Sequence, residues 1–207
     1  MRKIAGIICI LLGLAMMTGG AGLYLYNQNE DHQAKTSSEI VLPELTEKVL
    51  QIRQEQISTG HLPEPVIPEE LLTPEDVIMT EVEIDGYPYI GYLQIPELNL
   101  ELPVLSDWNY QWLQKAPCRY TGTVKGRDLV VMAHNYSSHF GRLDQLAEGA
   151  EVIFTDMNGA IWEYQVVAKD VLDPYDTEDM AAGEYDLTLF TCTPGGSHRV
   201  TVRCDIK

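Results

Sequence analysis

Residues 186–204 read DLTLFTCTPGGSHRVTVRC, and this stretch constrains the fold more than any other. Alternation puts Leu187, Leu189 and Thr191 on one face of an extended segment and Thr188, Phe190 and Cys192 on the other. Pro194-Gly195-Gly196 breaks the run before Val200-Thr201-Val202 resumes it, so the pattern predicts strand, turn, strand. A thiol then stands at the C-terminal end of one strand, with Arg199 a turn away on the next. Groups carried on strands are placed more rigidly than groups on loops, which marks the pair as a candidate site.

The same period of two recurs from Glu81 onward. Val82 and Ile84 alternate with charges, Asp85-Gly86 is a hairpin turn, and residues 87–95 return as the partner strand. Residues 98–104 read as a further strand, punctuated by Pro96 and Pro103, and residues 108–115 as a short helix with Trp108 and Trp112 one turn apart in the core. An apolar strand over 129–134 ends in His134. The spacing of Phe140, Leu143, Leu146 and Ala147 predicts helix, and 152–155 and 161–168 flank the turn Met157-Asn158-Gly159. Cys118, between Pro117 and Arg119, reads as loop. Many short strands with almost no long helix indicate a mainly β domain, a barrel or a sandwich.

Upstream of that domain the pattern changes twice. Arg2 and Lys3 precede an uncharged apolar run over residues 4–26, which as a helix rising about 1.5 Å per residue is long enough for a hydrocarbon core of about 30 Å. Apolarity resumes at Leu23-Tyr24-Leu25-Tyr26 beyond the small residues 18–22, which favours an uncleaved anchor over a cleaved signal peptide. The positive residues then stay in the cytoplasm and the rest of the chain lies outside the cell. Residues 27–80 are acidic and Pro-rich, with Pro43, Pro63, Pro65, Pro68 and Pro74, and read as a stalk. Within it Leu42, Leu45, Val49 and Ile52 predict one short amphipathic helix over 42–57. The predicted organisation is therefore an anchor over 1–28, a stalk over 29–80 and a β domain over 81–207.

Charge excludes one class of partner. A formal net charge of -17 repels nucleic-acid phosphates. None of Cys9, Cys118, Cys192 and Cys204 shows paired metal or redox spacing, and no cofactor motif is visible. The groups able to do chemistry are Cys192, the domain histidines His134, His139 and His198, and Arg199. An unperturbed thiol ionises near about pH 8.5, so a nucleophilic cysteine needs a basic or cationic neighbour. His134 qualifies because it too ends a strand, and Arg199 because the turn brings it close; its guanidinium suits an oxyanion. The bland alternatives are a buried structural cysteine, which Cys204 fits by sharing parity with Val200 and Val202, and structural histidines.

Four segments in order, IGYLQIPELNLELPVL, DLVVMAHNY, FGRLDQLAEGAEVIF and LTLFTCTPGGSHRVTVRC, behind an apolar helix, resemble the sortase family of Gram-positive bacteria. The most specific part is Thr188-Leu189-Phe190-Thr191-Cys192, similar to the family's TLxTC signature, with Arg199 at the position of the family's arginine. The resemblance implies an eight-stranded β-barrel with short helices and a cysteine transpeptidase activity. By position it makes Cys192 the nucleophile, His134 the acid/base group, Arg199 the oxyanion or substrate-binding group and Thr191 a substrate-binding residue, with His198 a rival base. The implied partners are surface proteins bearing a C-terminal sorting signal of LPxTG type and an amine acceptor in peptidoglycan or pilin. A hydrolytic cysteine peptidase and an inactive peptide-binding module are the alternatives. Ala133-His134-Asn135 departs from the Gly-His-Arg or Gly-His-His of many relatives. Some relatives bind calcium through loop carboxylates, and Glu148, Glu151, Asp176, Glu178 and Asp179 are the residues here that would do so, although solvated loop charge is the simpler reading and no metal is expected.

Overall fold

The computed structural model describes residues 2–59, 78–181 and 184–207; the predicted Pro-rich spacer around Pro63, Pro65, Pro68 and Pro74 lies outside the described residues. Nine strands form one sheet: β1 (Val82–Ile84), β2 (Tyr87–Ile95), β3 (Leu100–Leu105), β4 (Cys118–Thr121), β5 (Leu129–Met132), β6 (Glu151–Asp156), β7 (Ile161–Leu172), β8 (Leu187–Cys192) and β9 (Arg199–Ile206). They run in the order β1-β2-β3-β4-β5-β8-β9-β7-β6, and a further pairing of β2 with β6 closes the ring. Eight strands thus make a mixed barrel, and β1 is a short flap on the rim of β2. Pairing is antiparallel except at β3 with β4 and β5 with β8. Among the described residues closure leaves no long unpaired edge.

Period-two burial explains the interior. Leu93, Ile95, Leu102, Val104, Leu129, Val131, Val152, Phe154, Tyr164, Val166, Leu187, Leu189 and Val202 fill it from seven strands. Gly91 is required where the ring closes: a Cβ there would stand 2.1 Å from the Thr155 carbonyl oxygen, and its φ of +152° is one that side chains rarely adopt. Cys118, expected in a loop, begins β4 and is buried, its backbone paired with Met132. Phe140, Leu143 and Leu146 are buried, but in place of an α-helix only a 3-10 turn over Leu143–Gln145 forms between flanking turn residues. Their spacing of three is the 3-10 period. The helix expected over 108–115 is confined to α2 (Tyr110–Leu113), because the Asn109 side chain accepts from the Gln111 and Trp112 N–H groups and caps it there. Trp108, left outside the cap, is 38% exposed.

The largest departure from the sequence reading lies upstream. Helix α1 runs unbroken over Arg2–Thr59, so residues 42–57 are helical as expected but as part of one longer helix, which also crosses residue 28 without a break. Packing supplies the reason. Ala34, Ser38, Val41, Leu45 and Val49 form a buried stripe, and the last part of it sits on Ile84, Tyr89, Leu105, Leu113, Ala116, Cys118 and Met157 on the outside of the barrel. Pro43 removes one helical N–H but faces solvent, and its ring does not disturb the stripe. The Ser38 hydroxyl donates to the Lys115 carbonyl at 3.3 Å, and the Lys48 ammonium to that of Glu83 at 3.3 Å. The Arg53 side chain lies over Gly159 in the β6–β7 turn. A third apolar cluster, Val130, Phe190 and Met180 of α3 (Thr177–Met180), lies on the outer face of β5 and β8.

Candidate active site

Strand β8 has β5 on one side, parallel, and β9 on the other, antiparallel. Cys192 pairs directly with Arg199 across the β8–β9 register. On the other side Met132 pairs with Phe190, and the chain stays attached for three residues more. The Ala133 N–H donates to the Phe190 carbonyl at 3.2 Å, and the Asn135 side-chain Nδ2 donates to the Thr193 carbonyl at 3.4 Å. His134 is therefore level with Cys192.

The faces agree as well. Leu129, Val131, Leu187 and Leu189 point into the barrel, whereas Val130 and Phe190 belong to the outer cluster. Strand parity then puts His134 and Cys192 outside, and Arg199, opposite Cys192, beside them. Neighbouring strands lie about 4.8 Å apart, so residues 134, 192 and 199 occupy a row of positions across three adjacent strands. All three residues are half-buried.

Each flank of the row is fixed locally. The tight turn after Cys192 closes through the Thr193 N–H to the His198 carbonyl at 3.0 Å, with Gly195 and Gly196 at φ of +85° and +76°. It presents the Gly196 and His198 carbonyls to the Arg199 guanidinium at 3.2 and 3.1 Å. His198 itself is exposed on that turn, its Nδ1 3.0 Å from the Ser197 hydroxyl. Thr191 points inward, 3% exposed, and its hydroxyl donates to the Ala133 carbonyl at 2.8 Å. It ties β8 to the residue before His134.

Sequence reasoning missed the support behind His134. The imidazole packs at a tilt against Tyr136, 4.8 Å between centroids, and Tyr136 in turn against the buried His139 at 5.6 Å. The Tyr136 hydroxyl donates to Glu30 at 3.3 Å, and the Ser138 N–H to Asp31 at 2.9 Å, so α1 braces the loop that follows His134. Burial pulls the His134 pKa below the ordinary histidine value, against the opposing pull of the Glu30 carboxylate. Burial, reinforced by the charge on His134, takes His139 to about 4. It pushes the Cys118 and Cys204 thiols up to about 12, where neither is a nucleophile at neutral pH.

Beside the row, Val130, Phe190 and Met180 form a buried apolar cluster, with the partly exposed Tyr120, Met132 and Leu172 packed against it. Buried Arg203 holds α3 over it, donating to the Met180 carbonyl at 3.3 Å, to the Thr188 hydroxyl at 3.1 Å and to the Asp179 carbonyl. Of the loop carboxylates considered for a cation, Glu151 is paired with Lys207, and among the described residues no group of three or more His, Cys, Asp or Glu gathers as ligands.

Known proteins share this fold. The chain matches the sortase domain over residues 93–207. It is 24% identical over 154 residues to Sortase A of Streptococcus agalactiae serotype III (strain NEM316), a match covering 66% of this chain and 60% of that protein. The sortase C1 structure from Streptococcus suis is 28% identical, with a TM-score of 0.51 over 57% of this chain and 73% of the other. A Sortase D5 transpeptidase from Clostridium perfringens shares only 18% identity but the same fold, with a TM-score of 0.58 over 85% of this chain and 99% of that one. With the domain match covering more than half of its length, and the barrel to go with it, the chain belongs to the sortase family.

Proposed function

We propose that the protein is a membrane-anchored cysteine transpeptidase acting on a sorting signal of LPxTG type. The observation that carries the reading is the row itself, a half-buried thiol between an imidazole and a guanidinium on one face of three strands. The Cys192 sulfur attacks the scissile carbonyl carbon, and Arg199 stabilises the oxyanion. Collapse of that intermediate breaks the C–N bond, and the imidazolium of His134 gives its proton to the departing amine. A thioester remains on Cys192. An incoming amine attacks it, His134 takes the proton back, and the thiolate leaves as the new amide forms. Thr191 serves from beneath, by holding β8 to Ala133, and the partly exposed Tyr120, Met132 and Leu172 around buried Phe190 receive the apolar side chains of the signal.

The surface proteins carrying such a signal and the amine of peptidoglycan or a pilin are the proposed substrates. Exposed apolar residues 7–26 of α1 are the proposed membrane span, with the catalytic domain outside the cell. The test is mass spectrometry of a sorting peptide incubated with the protein, with and without an amine acceptor. An amide product that requires the acceptor and is lost in Cys192→Ala, yet kept in Cys118→Ala and Cys204→Ala, is the expected result. Free acid formed at the same rate with or without the amine points instead to a hydrolase, and activity retained by Cys192→Ala refutes the assignment.

A further inference from the structure

The continuity of α1 says where the site stands relative to a bilayer. The helix touches the barrel at two extremes. Glu30 and Asp31 meet Tyr136 and Ser138 beside the site, whereas Arg53 lies over Gly159 in the β6–β7 turn. At about 1.5 Å per residue the stretch between Glu30 and Arg53 spans about 35 Å. The strand directions agree: Cys192 ends β8 and Arg199 begins β9 at one end of the barrel, and the Asp85-Gly86 and β6–β7 turns lie at the other. Helix α1 therefore lies along the barrel with its apolar segment leaving at the site's end. Tyr26, where that segment stops, is one turn from Glu30, about 6 Å along the axis. The headgroup layer on each side of a bilayer is about 5–8 Å thick.

The geometry points to α1 as a rigid strut that seats the Cys192 rim against the headgroup layer of the bilayer, so that the site opens onto chains lying at the membrane surface. This rests on the membrane-anchored transpeptidase reading for its consequence, but the orientation is testable without activity. Full-length protein carrying Cys9→Ser and Cys192→Ala is given one added cysteine, Ser137→Cys near the site or Asp85→Cys at the far end, labelled with a fluorophore and reconstituted into phosphatidylcholine–phosphatidylglycerol vesicles containing headgroup-spin-labelled lipid. Strong quenching at residue 137 and none at residue 85 is expected; equal quenching at both, or quenching at residue 85 alone, overturns the orientation.

A second arm reads its use. Two alanines inserted after Tyr26 turn the domain by about 200° about the helix axis, and seven turn it by nearly whole revolutions while lifting it about 10 Å. Both insertions precede the Glu30 and Asp31 hydrogen bonds to the barrel and should leave cleavage of a soluble sorting peptide unchanged. Cleavage of the same peptide tethered to the vesicle by a short linker should fall at least about tenfold with either. Indifference of the tethered substrate to both insertions overturns the strut. Failure of the parent protein to cleave even the soluble peptide counts against the transpeptidase reading, and the quenching result then decides the orientation alone.

Discussion

Replacing Leu45 by alanine tests whether α1 is part of the folded domain. Leu45 is fully buried in the seam between helix and barrel, among Val41, Val49, Ile84, Tyr89 and Leu105. Truncating a buried leucine removes its transfer free energy and leaves a cavity, together about 2–5 kcal/mol. The seam is formed by one helix on a sheet, so the loss is felt first as undocking of α1, a local opening whose population should rise roughly 30-fold to several thousand-fold. Leu50, on the same helix but 62% exposed, is the control, and Leu50→Ala should stay within about 0.5 kcal/mol. Two assays read the difference. Urea unfolding in detergent, followed by fluorescence of Trp112, which packs against the seam, should show a midpoint lower by about 1–2.5 M for Leu45→Ala, given a slope near 2 kcal/mol per M. Hydrogen exchange should show faster labelling of α1 beyond Asp31 and of the loop after His134, because Glu30 and Asp31 leave Tyr136 and Ser138 when the helix lifts. Equal behaviour of Leu45→Ala and Leu50→Ala would refute the docking.

Two further substitutions probe electrostatics. Glu30→Gln removes the carboxylate that opposes the effect of burial on His134, so the His134 imidazole should titrate at still lower pH by NMR; an unchanged or higher value contradicts the contact. Asp186 is worked on by burial, which raises its pKa, but the Arg127 side chain at 2.7 and 3.0 Å and the Ile206 N–H at 2.7 Å outweigh that and hold it below the ordinary range. Its contribution is therefore fully present above the unfolded carboxyl pKa of about 3.9 and lost as pH falls through the lower folded value. Asp186→Asn should cost about 1–2 kcal/mol in thermal or urea unfolding near pH 7, since Arg127 is half-exposed, and the two proteins should converge in acid.

What the residues declared in advance follows from how each element is held. Strands β8 and β9 and the turn between them were legible because one face is buried and the other is not, which imprints a period of two. His134 beside Cys192 was reachable only through the convergence of strand ends and the family resemblance, since the parallel pairing of β5 with β8 joins residues 58 apart. The extent of α1 was illegible for a different reason. Its exposed face carries the acidic, proline-containing composition of a linker, and what keeps it helical beyond Asn27 is a stripe recognised only once the barrel is beside it. The pairing of Glu30 with Tyr136, 106 positions apart, left no local trace at all.

The place of β9 in the ring has a consequence for how the protein comes into being. It is the common neighbour of β7 and β8, and it carries Arg199. Until residues 199–206 are present, those two strands have nothing between them and the ring stays open. A chain emerging from its N-terminal side therefore places α1, the histidine and the thiol before any of them has a barrel to belong to. Assembly must wait for the long-range pairings, which are slow to form. Catalytic competence should arrive in a single late step, with no partly active precursor released along the way.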